Sequence, residues 1–322
     1  MSSNTYPRLL GDIGGTNARF AWKSAPQAPL TDAVTYPCAL FPALEQAMQR
    51  YLSERGQAAP WCAIGIANPI VGDQVKMTNH HWSFSISDVK RALGFDRFLV
   101  LNDFTALALS LPALPPADLR QVGGGQPVPG APLGLIGPGT GLGVSGLLPA
   151  QNGRNAIPVN GEGGHVTLAP TDALEESVVK LLQRRFGHAS AERALSGPGL
   201  QNLYSALCEI DGVPSKPLDA RDITTQALSG QDAQCVSAVD VFFRLLGTTA
   251  GNLALSLGTR GGMYIGGGIV PRLGERINTS SFRRRFEEKG RFQGYLSQIP
   301  VFVVHAGTSP ALLGAAQALE DS

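Results

Sequence analysis

Twice in 322 residues the chain runs through an apolar stretch, a glycine turn that contains threonine, and a second apolar stretch. The first is Leu9-Leu10-Gly11-Asp12-Ile13-Gly14-Gly15-Thr16-Asn17-Ala18-Arg19-Phe20, and the second runs from Leu133 through Gly137-Pro138-Gly139-Thr140-Gly141-Leu142-Gly143 to Leu148. Each reads as a β-hairpin, and the recurrence points to a duplicated architecture in which each half offers one glycine turn to the same phosphates. In the first turn two glycines permit positive φ and bring backbone N–H groups near an anion. Asp12 can hold a metal through water there, and Thr16 and Asn17 add neutral donors. An ordinary hairpin with Asp12 as a turn residue uses the same letters, so both readings stand at this point. The glycines at 141, 143 and 146 match the spacing of a dinucleotide fingerprint, but alternating residues follow where that motif needs a helix, which excludes it.

A length of 322 residues suits two lobes with a cleft better than one core. Hydrophobic residues at 43% and charged residues at 16% describe a globular chain with enough core to stand without disulfides or structural metals. With 26 basic and 25 acidic residues, a net charge of +1 gives no electrostatic reason to expect nucleic acid or an anionic membrane as partner. A small ligand fits better. Cys38, Cys62, Cys208 and Cys235 show no zinc spacing and read as free thiols in a reducing cytoplasm. The first eight residues carry no apolar signal segment, and no run of roughly 18 apolar residues occurs.

Along the chain, periodicity predicts a helix over 42–51, a buried strand over 62–67, a helix capped by Ser87 running to Leu93, a strand over 98–101 and a helix from about Phe104 to Leu111. Asn102-Asp103 thus sits at a strand's C-terminal end, the side of an open α/β sheet where ligands bind, although a plain helix N-cap, a frequent job for Asp, also accounts for Asp103 there. The loop Thr78-Asn79-His80-His81-Trp82 reads as surface. Prolines and Gly123-Gly124-Gly125 between 111 and 132 mark a lobe boundary, giving a small lobe of 1–111 plus 300–322 and a large lobe of 112–299. Glu162 and His165 lie in a glycine-rich loop, and Glu192 in the first turn of a short helix, where an acid complements the dipole. A long helix over about 233–257 reads as scaffold. Gly266-Gly267-Gly268 joins a strand to a helix with Pro271 as its first residue, a junction that admits either a flat ligand such as adenine or a plain tight turn. The basic run Arg283-Arg284-Arg285, with acids beyond it, reads as a solvated helix face. The strand over 301–304, with Thr308-Ser309-Pro310 and a helix over 311–319 behind it, is expected to pack back on the first lobe.

Taken in order, Asp12-Ile13-Gly14-Gly15-Thr16-Asn17, Asn102-Asp103-Phe104-Thr105-Ala106, the turn at 137–143, Gly161-Glu162-Gly163-Gly164-His165, Ala191-Glu192-Arg193-Ala194-Leu195-Ser196-Gly197-Pro198-Gly199 and Gly266-Gly267-Gly268-Ile269 resemble the bacterial glucokinases of the proteobacterial type. The resemblance spans nearly the whole chain. It implies a two-lobed α/β fold of the actin-like, ribonuclease H-like ATPase class, with ATP, Mg2+ and D-glucose bound and glucose phosphorylated on its 6-hydroxyl. The related repressor and sugar-kinase family opens on a similar Asp-x-Gly-Gly-Thr but carries a cysteine-rich zinc motif that this chain lacks. Its repressors carry a leading DNA-binding domain, for which the position of Asp12 is expected to leave no room.

Residue by residue, the resemblance implies Asp103 as the catalytic base, with Asn102, Glu162, His165 and Glu192 beside it on the sugar hydroxyls. It implies Gly11, Asp12, Gly14, Gly15, Thr16, Asn17, Gly139, Thr140 and Gly141 at the phosphates and Gly266, Gly267 and Gly268 at the adenosine, with a homodimer as the assembly. Another hexose, or a donor such as polyphosphate, fits the same architecture. A sugar-sensing binding protein is the alternative of a different class, and retention of Asp103 speaks against it because binding needs no base. Closure of the lobes is expected to exclude the water that competes as acceptor.

Overall fold

The computed structural model describes residues 5–78, 80–151, 155–307 and 309–320, so Asn79 and Thr308 of the motifs above lie outside the described residues. The chain divides into two compact units, Met1–Pro115 with Asn152–Pro158 and Ala306–Ser322, and Pro116–Gln151 with Val159–His305.

In the first unit, strands β1 (Arg8–Ile13), β2 (Asn17–Lys23), β3 (Thr31–Pro37) and β4 (Trp61–Ile66) are followed by a small ribbon of β5 (Gln74–Lys76) and β6 (Ser83–Ser85), and then by β7 (Arg97–Asn102). The sheet order is β3-β2-β1-β4-β7. β1 and β2 form the antiparallel hairpin, with Ile13 opposite Ala18, and β4 and β7 add in parallel. Parallel strands are covered on both faces. On one face lie the helix Leu44–Arg55 and the apolar cluster of Phe20, Trp22, Tyr51 and Trp82. On the other, the terminal helix Pro310–Glu320 buries Leu312, Ala315, Ala316 and Leu319 against Leu10, Ala21 and Ala63.

Two glycines bring the helix Asp103–Ser110 into this packing. A Cβ on Gly65 of β4 would stand 3.0 Å from the Ala106 Cβ and 3.5 Å from the Asp103 Cα, and a Cβ on Gly314 of the terminal helix would overlap the Ala106 carbonyl oxygen. The start of the Asp103 helix is thereby fixed between a strand below and a helix beside it.

The second unit repeats the plan. β8 (Leu119–Val122), β9 (Leu133–Pro138), β10 (Leu142–Leu148), β11 (Ile157–Asn160), β12 (Gly262–Ile265) and β13 (Val301–Val304) form a sheet in the order β11-β10-β9-β12-β13-β8. Again an antiparallel hairpin, β9–β10, is followed by two parallel strands, β12 and β13. The final strand therefore belongs to the second sheet, where its Val301 and Val303 are fully buried, and only the helix after it returns to the first unit. That corrects the expectation of strand and helix together in the first lobe. An all-apolar four-residue strand buries on both faces in any parallel sheet, so its letters cannot say which sheet it joins.

The long helix Ala233–Leu257 is observed with its predicted bounds, opened by Asp232 accepting the Gln234 and Cys235 N–H groups and closed by Gly258 at φ 65°. The helix Phe282–Glu287 lies on it at Gly247 and Gly251, where a Cβ would overlap the carbonyl oxygens of Phe282 and Phe286. That approach corrects the reading of the basic run. Arg285 is buried and donates to Glu175 Oε1 and Oε2, both at 2.8 Å, and Arg244 Nε lies 3.2 Å from the same fully buried carboxylate. Arg283 donates to the Ile299 and Ser297 carbonyls at 2.9 Å. Two of the three arginines thus staple elements together, and Arg284 alone is well exposed, at 64%.

Smaller differences have local causes. Ser85, not Ser87, caps the second helix by accepting the Asp88 N–H, because Asp73 holds the Ser87 N–H. Pro271 is the third residue of the helix Ile269–Arg272 rather than its first. All four cysteines are buried and free.

A Gly314→Ala substitution drives a methyl group into the Ala106 carbonyl. It is expected to cost about 2–3 kcal/mol in urea unfolding, the upper range for overpacking. A loss under about 0.5 kcal/mol would show that the two helices are free to separate.

Candidate active site

The first unit contributes a turn and a strand end. The β1–β2 turn closes with the Gly14 N–H donating to the Asn17 carbonyl at 2.9 Å, and the Thr16 carbonyl accepts from the Cys38 N–H at 2.8 Å. Gly14 does not use a left-handed φ, and a Cβ there would meet nothing nearer than 3.5 Å. Neither backbone strain nor packing requires the glycine, which is half-buried. Thr16 stands exposed beside it, while Gly15 and Asn17 are half-buried. Gly11 is different. It lies inside β1, where a Cβ would press on Ile64 Cγ2 at 2.6 Å, so its role in the fold is close packing.

Asp12 is the penultimate residue of the same strand, with its side chain 14% exposed. Its Oδ2 accepts from Arg19 Nη1 at 3.1 Å and from Ser309 Oγ at 2.7 Å. Both contacts fall on one oxygen.

At the end of β7, Asn102 is the N-cap and Asp103 the first helical residue, which resolves the N-cap reading in favour of the asparagine. Asn102 Oδ1 accepts from the Phe104 and Thr105 N–H groups at 2.9 and 3.2 Å, a cap worth about 1 kcal/mol. Its Nδ2 donates to Asp103 Oδ1 at 3.1 Å and to the Asn68 carbonyl at 3.4 Å. Asp103 Oδ1 also accepts the Phe104 N–H at 2.9 Å.

Relieved of capping, the Asp103 carboxylate is held in place but not consumed. Burial pushes its pKa up to about 6, and the nearby charge of Asp12 pushes the same way; the hydrogen bonds from Phe104 and Asn102 oppose both and lose. A carboxyl poised there is ionised at neutral pH yet basic enough to take a proton.

In the second unit the β9–β10 turn closes with the Gly139 N–H donating to the Gly141 carbonyl at 2.8 Å. Gly139 repeats the behaviour of Gly14, with no left-handed φ and open space around its would-be Cβ, and Thr140 is exposed at the tip. Gly141 has no such room, because a Cβ there would stand 2.5 Å from Glu192 Oε2. That oxygen accepts the Leu142 N–H at 2.9 Å.

Glu192 lies in the single turn Ala191–Arg193. This segment is tied to the glycine-rich loop by backbone bonds from the Ala191 N–H to the Val166 carbonyl and from the Leu168 N–H to the Ala189 carbonyl, both at 2.9 Å. Glu162 precedes and His165 ends the one-turn helix Gly163–His165, which sits tightly on β10: a Cβ on Gly163 would meet Val144 Cγ1 at 2.7 Å. Both side chains are exposed. Gly266 donates to the Ile136 carbonyl at 2.9 Å, and Gly267, at φ 75°, approaches the Pro138 carbonyl so closely that a Cβ would overlap it. Gly267 is therefore required by the turn itself. Gly268 is exposed, takes no left-handed φ and has room for a side chain, which matches the glycines of the two hairpin turns.

Within the first unit the structure brings Asp12, Asn102 and Asp103 together. Within the second it brings the 139–141 turn, Glu192, the His165 loop and the 266–268 junction together. Ser309, Arg19 and the Asn68 carbonyl were not singled out by sequence. Ser309-Pro310 reads as a helix start, but nothing in the letters pairs it with Asp12. Three other histidines make structural contacts: His81 Nε2 lies 3.2 Å from the Pro42 carbonyl and His188 Nε2 lies 3.0 Å from Thr167 Oγ1, while the His80 ring meets Trp82 edge-on with centroids 4.8 Å apart. Among the described residues no helix is long and apolar enough to cross a membrane.

The Glucokinase family profile matches residues 9–322. A glucokinase of Aromatoleum aromaticum is 54% identical over 322 residues, covering 99% of this chain and 96% of its own. One of Chromobacterium violaceum is 53% identical over 317 residues, covering 98% and 90%. The crystal structure of a glucokinase from an Antarctic psychrotroph superposes with a TM-score of 0.90 at 36% identity, covering 98% of this chain and 99% of that one. The repeated hairpin-plus-parallel-strand sheets are those of the actin-like ATPase fold, and with the family match across the strands, turns and loops just described, this chain belongs to the glucokinase family.

Proposed function

We propose that the protein transfers the terminal phosphoryl group of ATP to the 6-hydroxyl of D-glucose, giving glucose 6-phosphate and ADP, with Asp103 as the base. The observation that carries this is the Asp103 carboxyl, fixed by Asn102 and the Phe104 N–H and raised to about 6. A binding protein has no use for such a group.

Phosphoryl transfer through a loose transition state needs alignment and charge stabilisation more than covalent help. The glycine turns at Gly14-Gly15-Thr16 and Gly139-Thr140-Gly141, exposed at Thr16 and Thr140, suit phosphate oxygens, with Asn17 at the foot of the first turn and Thr140 at the tip of the second. Gly268, bare without structural need, suits the nucleoside together with Gly266 and Gly267. Asn102, Glu162, His165 and Glu192 supply the amide, carboxylates and imidazole that satisfy a ring of hydroxyls. A wrong isomer that leaves one such group unpaired loses about 1–3 kcal/mol. Asp103 accepts the proton of the 6-hydroxyl as its oxygen attacks, a role typically worth ~10²–10⁴-fold in rate.

Asp12 fits magnesium, a hard cation that favours carboxylate oxygen and keeps its waters, since among the described residues both of its side-chain hydrogen bonds fall on Oδ2. We assign Asp12 to hold the ion through water, and the ion supplies charge neutralisation at the phosphates. The four buried free thiols support a reducing, cytoplasmic setting.

Asp103→Asn is expected to lower kcat by about 10²-fold or more while glucose still binds by calorimetry. Activity within a few-fold of the parent would remove Asp103 as base. In the parent, kcat/KM for glucose is expected to be flat above pH 7 and to fall about tenfold per unit below about pH 6, because protonation removes the base. Asp12→Asn takes away a neighbouring negative charge, so the midpoint of the remaining activity moves down. A midpoint that rises, or a parent profile breaking near pH 4, contradicts the assignment. Glu162→Gln and His165→Ala are expected to raise KM for glucose by about 10-fold with KM for ATP little changed. A selective loss on the ATP side would reverse their roles.

A further inference from the structure

Glu192 stands where the sugar-side loop meets the phosphate turn. Its Oε2 accepts the N–H of Leu142, the residue that follows Gly139-Thr140-Gly141. The same turn is gripped from the other end, where the Gly139 carbonyl accepts the Gly197 N–H at 2.8 Å. Gly197 opens the helix capped by Ser196. Ser196 is fully packed: its Oγ donates to the Glu192 carbonyl at 2.8 Å and accepts the Gly199 N–H at 3.0 Å. A closed circuit thus runs from Leu142 through Glu192, Ser196 and Gly197 back to Gly139. Gly141 completes the fit, since any side chain there would displace Glu192 Oε2.

We infer that Glu192 is the coupling residue between the two substrates, holding the phosphate turn through Oε2 and the sugar through Oε1, so that each ligand favours binding of the other. This rests on the proposed reading that Glu192 touches glucose and that the 139–141 turn carries phosphate. The physical cause is shared ordering. The Leu142 N–H bond makes the position of the Glu192 carboxylate and that of the turn depend on each other. Whichever ligand arrives first fixes both, and the second binds to a site already ordered. Linkage makes the effect reciprocal: the factor by which nucleotide tightens glucose equals the factor by which glucose tightens nucleotide.

The test is a calorimetric cycle on the full chain, measuring glucose affinity with and without magnesium and the non-hydrolysable analogue AMPPNP. In the parent the analogue is expected to tighten glucose by roughly 5-fold or more. Glu192→Ala is expected to weaken glucose and bring that factor to about one. Glu192→Gln restores most of it, because an amide oxygen still accepts the Leu142 N–H while the NH2 reaches the sugar. Gly141→Ala crowds Oε2 off the Leu142 N–H without removing the carboxylate and is also expected to lose the factor, which keeps the test open if Glu192→Ala does not fold. Glu162→Gln, which makes no hydrogen bond to the turn among the described residues, is expected to weaken glucose with the factor unchanged. A factor near one in the parent, or a parent-like factor in both Glu192→Ala and Gly141→Ala, overturns the coupling. If Glu192→Ala weakens glucose and keeps the factor, the coupling alone is lost; if glucose affinity does not change, the sugar contact itself is wrong.

Discussion

Removing the Asp103 carboxylate from water, while holding it with donors too weak to cancel the penalty, is the condition on which the first unit is built. The carboxyl stands at the junction of β7 and a helix only because Gly65 and Gly314 let that helix sink between a strand and the terminal helix. The same approach strips away solvent. Asn102 takes over the capping that an aspartate at this position would otherwise perform, so Asp103 is oriented without being neutralised. Asp12 adds a second negative charge to the neighbourhood, and its own oxygen is shared with Arg19 and Ser309. Burial, capping and a charged neighbour together give a base suited to neutral pH.

Two groups of glycines around the candidate site differ in what requires them. Gly11, Gly65, Gly163, Gly267 and Gly314 are there because another part of the protein occupies the place of a Cβ. Gly14, Gly139 and Gly268 have free space and no left-handed φ, so folding alone would accept alanine. A backbone left bare without structural cause fits one that a ligand must reach. Both turns are held by a distant segment, the first by the Cys38 N–H on the Thr16 carbonyl and the second by Glu192 and Gly197 at its two ends.

Much of the architecture was legible because the hairpins, the parallel strands and the long helix are written in strong periodic or apolar patterns with clear stops. The Gly139-Thr140-Gly141 turn and Asn102-Asp103 could be placed at strand ends from sequence alone. What could not be read depends on distant partners. The arginine run looks solvated in its own helix, yet Arg285 meets a buried glutamate 110 positions away. The strand Val301–Val304 carries no mark of which sheet it enters. Capping by Asn102 rather than Asp103 rests on backbone angles one residue apart, and two neighbouring good cappers do not reveal which is used. Ser309 reaches Asp12 only once the chain has returned to its first sheet.

One assay decides most about the reading as a whole: the appearance of glucose 6-phosphate and ADP from purified protein, with glucose, mannose, fructose and N-acetylglucosamine offered beside magnesium ATP and polyphosphate. Turnover confined largely to glucose and ATP, with equal amounts of the two products, is the expected result. Calorimetric binding of glucose with no turnover on any sugar from either donor would contradict it and leave a sugar-binding protein that has kept the fold without the chemistry.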